Sequence, residues 1–161
     1  MTAQRKISES GFKLLTINNA KTTLGEELGI LTGILYLNPA VSDSLCPYAT
    51  THCRKPCLVK SGRAEIIPMI LRARTRKTNE FLANRQAFVE TLKKDFGKLI
   101  RKAKKLGLRA AVRLNGTSDI LFERLIDFAE FPEITFYDYT KVPIKFRRNS
   151  SIQNYHLTFS F

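Results

Sequence analysis

The 161-residue sequence has little histidine, cysteine and acid, and each shortage narrows what the chain can do. Two histidines, His52 and His156, offer no source for the paired histidines of a rolling-circle nickase. Three cysteines are an odd number, and all fall between residues 46 and 57, which argues against a disulfide framework. No apolar run reaches the ~18–20 residues that a transmembrane helix requires, and the opening Met1-Thr2-Ala3-Gln4-Arg5-Lys6 leads into polar residues rather than a signal-peptide core. The expectation is a protein without membrane insertion, cytoplasmic in a bacterial host. There is no internal repeat, low-complexity tract or Gly/Ser-rich linker, and no P-loop, zinc-finger or base-reading signature.

Acid is the most telling shortage: 14 Asp+Glu stand against 27 Lys+Arg, a formal net charge of +13. Residues 60–113 hold sixteen Lys/Arg against Glu65, Glu80, Glu90 and Asp95, so that segment alone carries +12. A charge that large concentrates polyanions, which makes nucleic acid the expected partner. Arg72, Arg74, Arg76, Lys77, Lys93, Lys94, Arg101, Lys102, Lys104 and Lys105 are its candidate contacts. The plainer alternative is a solvated helix face.

With 43% apolar residues, the chain can bury about 70% of the surface that it exposes unfolded, enough for one stable domain. Residues 1–12 read as a loose tail and 13–161 as a single domain. Gly33–Leu37 reads as a buried strand stopped by Asn38-Pro39. A helical pattern runs from about Glu65 to Leu82, and Phe88, Val89, Leu92, Phe96, Leu99, Ile100, Ala103 and Leu106 then recur at three- and four-residue spacing. Gly107 is suited to closing that helix in a left-handed conformation. Ala110–Leu114, Ile134–Tyr137 and His156–Phe159 read as further strands, with a short helix ending near Phe128 and capped by Ser118 or Asp119. Strands separated by helices predict an α/β fold with a mostly parallel sheet. About four strands cannot close an eight-stranded barrel, so the sheet is expected to be half-barrel-like. Its unfinished edge should be covered by the N-terminal segment or pair with another chain as a homo-oligomer.

Ligands of such sheets bind beyond the carboxyl ends of the strands. Those ends carry Asn38, then Asn115, Ser118 and Asp119, then Asp138, Tyr139 and Lys141. Asp119, Asp138, Tyr139 and Lys141 are the candidate catalytic groups, and Asn38, Asn115 and Ser118 candidate pocket walls. Helix capping and turn formation are the bland alternatives for Asn115, Ser118 and Asp119. Aromatic packing is the alternative for Tyr139.

The loop from Cys46 to Cys57 contains Cys46, His52 and Cys53. Three thiolates fill three corners of a metal centre and leave a fourth open, which suits an iron–sulfur cluster with SAM at its open iron. Radical-SAM enzymes place a three-cysteine cluster after the first strand of a partial barrel, although their CxxxCxxC spacing differs. Zinc completed by His52, or buried free cysteines, are the alternatives. Ser61-Gly62-Arg63, opening a helix, form a candidate anion site.

Several segments together resemble one family. These are Gly29–Leu37, Leu45-Cys46-Pro47, Cys53, Cys57-Leu58, Ser61-Gly62-Arg63, Ala73-Arg74, Val112–Asp119, Phe136–Lys141 and Asn154–Ser160. The resemblance is to bacteriophage and plasmid proteins named after mycobacteriophage gene product eighty-eight, and it spans roughly Gly29 to the C-terminus. It implies a mobile-element origin and a shared set of polar strand-end positions. It implies no particular reaction.

Overall fold

In the computed structural model of the chain, residues 11–17, 20–57, 66–147 and 152–160 are described. Strands Leu15–Thr16 (β1), Ile30–Leu35 (β2), Arg109–Arg113 (β3), Ile134–Thr140 (β4) and Tyr155–Phe159 (β5) form one open sheet in sequence order. β2 to β5 are mutually parallel, and β1 pairs antiparallel to β2. The fold is the expected α/β class with a mostly parallel open sheet. The N-terminal segment covers the β2 edge as anticipated, while the β5 edge has no strand beyond it among the described residues.

The helices are Ala20–Glu27 (α1), Thr51–Arg54 (α2), Pro68–Ala83 (α3) and Arg85–Leu106 (α4). α3 places Pro68 in its first turn, where a missing N–H costs nothing. α4 is the helix read from the apolar spacing: Phe88, Val89, Leu92, Phe96, Leu99 and Ala103 are its buried apolar stripe. Asn84 Oδ1 caps it by accepting from Ala87 N at 3.0 Å. Gly107, at φ 69°, closes it with its N–H on the Ala103 and Lys104 carbonyls. Each large side chain in the stripe contributes about 1.5–3 kcal/mol by leaving water, so packing rather than propensity fixes the helix.

The stripe packs on one face of the sheet, against Leu31, Leu35, Ala110, Val112, Ile134 and Phe136. Phe128 stacks on Phe136 at 4.3 Å between ring centres, and Phe96 meets Phe136 edge-on at 5.3 Å. Side chains alternate across a strand, so Thr32, Ala111, Arg113, Thr135, Tyr137 and Tyr139 project from the opposite face.

The structure corrects three local expectations. β2 begins at Ile30, before Gly33, and β4 continues through Thr140. The short helix ending near Phe128 is replaced by 3-10 turns at Phe122–Arg124 and Phe128–Glu130. Its two candidate caps are engaged elsewhere: Ser118 Oγ donates to Asn115 Oδ1, and Asp119 accepts from Thr140 Oγ1 and Lys141 N. The expected tail covers mostly residues outside those described.

The N-terminal segment is held by one buried carboxylate. Asp95 Oδ2 accepts from the backbone N–H groups of Lys13, Leu14 and Leu15 at 3.0, 2.7 and 3.2 Å. Hydrogen bonds to a charged group are roughly twice as strong as neutral ones. Asp95→Asn keeps the shape but halves the acceptors and removes the charge, and should lower stability by about 2 kcal/mol. Urea unfolding with an unchanged slope would measure it, and a loss below about 0.5 kcal/mol would show that the clamp contributes nothing.

Candidate functional site

The parallel strands end together, and the polypeptide following each end turns over a common hollow. A cavity of about 320 Å³ there is lined by Cys46, Cys53, Cys57, Arg113, Asn115, Gly116, Thr117, Ser118, Asp119, Tyr139, Thr140, Lys141 and Ser160, with Ala49 and Pro56. A second cavity of about 290 Å³ shares all three cysteines and extends toward Pro39, Asp43 and Arg54. The cysteine loop therefore forms a partition between two hollows.

Local hydrogen bonds explain why this loop folds as it does. Ser42 starts one turn by accepting from Ser44 N, and Thr50 Oγ1 starts α2 by accepting from Cys53 N at 3.2 Å. Arg54 pairs with Asp43, closing the loop on itself. All three thiols are free and partly buried. Burial pushes the Cys46 thiol up to about 12, with the Asp119 carboxylate and the other two cysteines adding to the effect. His52 is exposed and does not line either cavity. Among the described residues, no three His, Cys, Asp or Glu side chains stand close enough to form a ready-made ion site.

The loop after β3 is the opposite wall. Asn115 is fully engaged: its N–H and Nδ2 donate to Asp138 Oδ1 and Oδ2 at 2.8 and 3.1 Å, and its Oδ1 accepts from Ser118 Oγ and Ile120 N. Gly116 lies so near β2 that a Cβ would stand 2.7 Å from the Leu35 carbonyl oxygen, so only glycine allows this approach. Thr117 Oγ1 donates to the Leu37 carbonyl, stitching the same two strand ends. Asp119 holds β4's end through Thr140 Oγ1 and Lys141 N, both at 2.8 Å. Lys141 Nζ reaches the Ser160 carbonyl at 3.4 Å.

The candidate catalytic groups divide. Asp119, Tyr139 and Lys141 line the cavity; Asp138 does not, because it shares the core face with Phe136 and is 1% exposed. Burial raises its carboxyl to about 7, against the lowering effects of the Asn115 hydrogen bonds and of Arg113 and Arg147. Tyr155 Oη lies 3.5 Å away, and burial pushes that hydroxyl upward too. Of the candidate walls, Asn115 and Ser118 line the cavity. Asn38 instead ties β2's end to α3, its N–H donating to Thr78 Oγ1 at 2.8 Å and its Nδ2 to Thr75 Oγ1 at 2.9 Å. Ser61, Gly62 and Arg63 lie outside the described residues.

Arg113 belongs to the site, although in the sequence it counts only as one of the sixteen basic residues of 60–113 and not as a strand-end candidate. Its side chain sits 4.9 Å over the Tyr139 ring, and its Nε donates to the Asn115 carbonyl at 3.3 Å. The signal was a lone cation inside an apolar strand, out of step with core alternation. Arg74, on α3, lies 4.8 Å over Tyr36, with Nη1 buried and without a hydrogen-bond partner. Half-buried Tyr137 stands on the same face, its hydroxyl raised by burial and lowered by Arg113.

The remaining basic residues are unequal. Arg76, Lys93 and Lys104 pair with Glu80, Glu130 and Glu133 at 3.6, 2.8 and 3.6 Å. Lys77 donates to the Leu14 carbonyl, and Lys102 stands over Phe12. Lys94, Arg101 and Lys105 are exposed, and with Lys98 they follow one face of α4 at spacings of four, three and four. Lys13, Lys94, Lys98 and Arg101 line a hollow along that helix. This stripe lies in the helical layer, across the sheet from Arg113 and Tyr139. Arg72 is exposed on α3.

No described helix is long and apolar enough to cross a membrane. The sequence profile of a family described as Gene product 88 matches residues 12–161. No curated protein and no solved structure matches the chain significantly.

Proposed function

The chain belongs to the Gene product 88 family, a phage-related family, and on that premise we propose that it is a mobile-element protein acting on or with nucleic acid through a three-cysteine metal or iron–sulfur site. One observation supports this reading above others. Cys46, Cys53 and Cys57 meet Arg113, Asp119 and Lys141 around one cavity at the carboxyl ends of parallel strands, the usual address of sites in such sheets.

Cys46, Cys53 and Cys57 would hold the metal, with Cys46 anchored beside the Asp119 backbone and Cys53 and Cys57 turning toward it. A fourth position would stay open to a ligand such as SAM. Arg113 and Lys141 would neutralise an anionic ligand, and Asp119 would orient Lys141 through its backbone N–H. The net charge and the α4 stripe support a polyanionic partner. A second copy would add to the sheet at the β5 edge.

A second reading has its own support: the thiol of Cys46, held protonated by burial, and the lack of a preformed ion site among the described residues suit a non-catalytic nucleic-acid binder whose cysteines hold structural zinc or nothing. Anaerobic purification, with metal, sulfide and the visible spectrum measured on one sample beside a Cys46→Ala/Cys53→Ala/Cys57→Ala control, separates the two. Iron with sulfide and a chromophore absent from the control is the expected result. Stoichiometric zinc moves the assignment to the second reading, and no metal under any condition ends the metal proposal. Because thiolates bind metal and thiols do not, uptake should release protons and tighten steeply as pH rises.

A further inference from the structure

The helical core covers one face of the sheet, and α1 reaches over the other near β2, where a Cβ on Gly25 would touch Thr32 Oγ1 at 3.5 Å. Toward β4 and β5 the described residues leave that second face open. Tyr139 is 49% exposed there, beside Thr158 of β5 and beyond Phe136, the last residue of β4 that pairs with β3. The register sets Tyr137 beside His156 and Tyr139 beside Thr158, so both partners project from the same face, and both are exposed. Arg113 roofs the Tyr139 ring, and Arg74 roofs Tyr36 at the adjoining strand end.

Two rings, each under a guanidinium, beside a cavity whose lysine touches only a backbone carbonyl make a particular kind of surface. Among the described residues none of Arg74, Arg113 and Lys141 forms a salt bridge, so none is paired directly with a carboxylate. Open sheet faces with aromatic side chains hold single strands, because an unstacked base offers a π-face to a ring or to a guanidinium plane. A duplex hides those faces. The adjoining cavity, at about 320 Å³, is at the small end of ligand sites, the size for one nucleotide unit rather than for paired strands.

We propose that this face binds single-stranded nucleic acid, a base stacking at Tyr139 and Arg113 while Lys141 and Arg74 hold flanking phosphates, so that the neighbouring nucleotide enters the cysteine cavity. The inference rests on the nucleic-acid reading above and adds the form of the substrate and the residues that receive it. It also separates two roles for the basic charge. The α4 stripe lies across the sheet and acts as a general attraction for polyanions, whereas the Tyr139 face selects single strands.

The test uses the anaerobically purified full-length protein and a short oligonucleotide carrying one 2-aminopurine, as single-stranded DNA, single-stranded RNA and duplex DNA, at low ionic strength. A single strand of either type should bind more tightly than the duplex and lose 2-aminopurine fluorescence as the base stacks. Tyr139→Ala should weaken single-strand binding about 5- to 150-fold and abolish the quench, the range expected for loss of one stacked base. Tyr139→Phe keeps the ring and should retain both. The half-exposed position makes either change tolerable to the fold, which an unchanged thermal melt would verify. If single strands bind but Tyr139→Ala changes affinity less than about twofold, or if duplex binds as well as single strands, the platform is wrong while the nucleic-acid reading stands. If no nucleic acid binds at all, that reading falls and the platform with it.

Discussion

Arg147→Met should lower the unfolding free energy near neutral pH by about 3–5 kcal/mol, because it leaves a buried carboxylate without its counter-charge. The side chains of Arg147 and Glu123 are both fully enclosed, with Nε 2.9 Å from Oε1. Neither atom makes a hydrogen bond despite that distance, so the contact is badly aligned and charge attraction holds the pair. The same guanidinium reaches Tyr155 Oη at 2.6 Å and Asp119 Oδ1 at 3.5 Å. One cation thus joins β5 to the segment that walls the cavity. Methionine keeps the apolar stem, so the loss would report the charge rather than a void. Arg147→Met/Glu123→Leu removes both charges and should recover most of the stability, since the desolvation of the pair offsets much of its attraction. Urea unfolding of the two variants is the measurement. A double variant as unstable as the single would show that the contacts of Arg147 with Tyr155 and Asp119, and not its ion pair with Glu123, are what matter.

The elements that local physics decides were legible in the sequence. α4 is fixed by one apolar stripe, an Asn cap and a glycine with positive φ, all short-range features. The parallel sense of β2 to β5 was expected from strands alternating with helices, although β3 and β4 are joined by 3-10 turns alone, and the cavity appeared where strand ends carry polar residues. β1 was expected only as an unspecified cover for the edge, because two residues give no periodicity; a distant carboxylate, Asp95, fixes it. The Asn115–Asp119 segment has the composition of a helix cap, but its side chains bond across strand ends instead, a choice made by Asp138 and Thr140 more than twenty positions away. The face of Asp138 was equally hidden. A one-residue shift in strand phase exchanges it with Tyr139, and only the pairing of β4 with both neighbours settles which points to the cavity. Arg147, enclosed and central, has no local sequence pattern that sets it apart from the other cations of a basic chain.

Asp138 makes stability depend on pH in the unusual direction. In the unfolded chain its carboxyl titrates near 3.8, and in the fold burial holds it at about 7. Between these values the native state carries a proton that the unfolded state has released, so stability should fall as pH rises through that window. The difference corresponds to about 4 kcal/mol at about 1.4 kcal/mol per unit, fully present below the unfolded value and lost above the folded one. The effect is read from a difference, in which the contributions of the other titrating groups cancel. Asp138→Asn removes the titration but places an amide against Asn115 Nδ2, which now donates to Asp138 Oδ2 at 3.1 Å. That conflict is a fixed cost at every pH. Stability of the variant minus that of the wild type should therefore rise by several kcal/mol between about pH 4 and pH 7 and be level outside it. Chemical denaturation at closely spaced pH values would trace the curve, and a flat difference would mean that Asp138 stays ionised in the fold. Because Asp138 holds Asn115 by two hydrogen bonds, and Asn115 lines the cavity, this proton sits directly behind the wall that any ligand must touch. Loss of that proton strengthens both bonds from Asn115 while weakening the fold around them, so the cavity wall should be most tightly held where the protein as a whole is less stable.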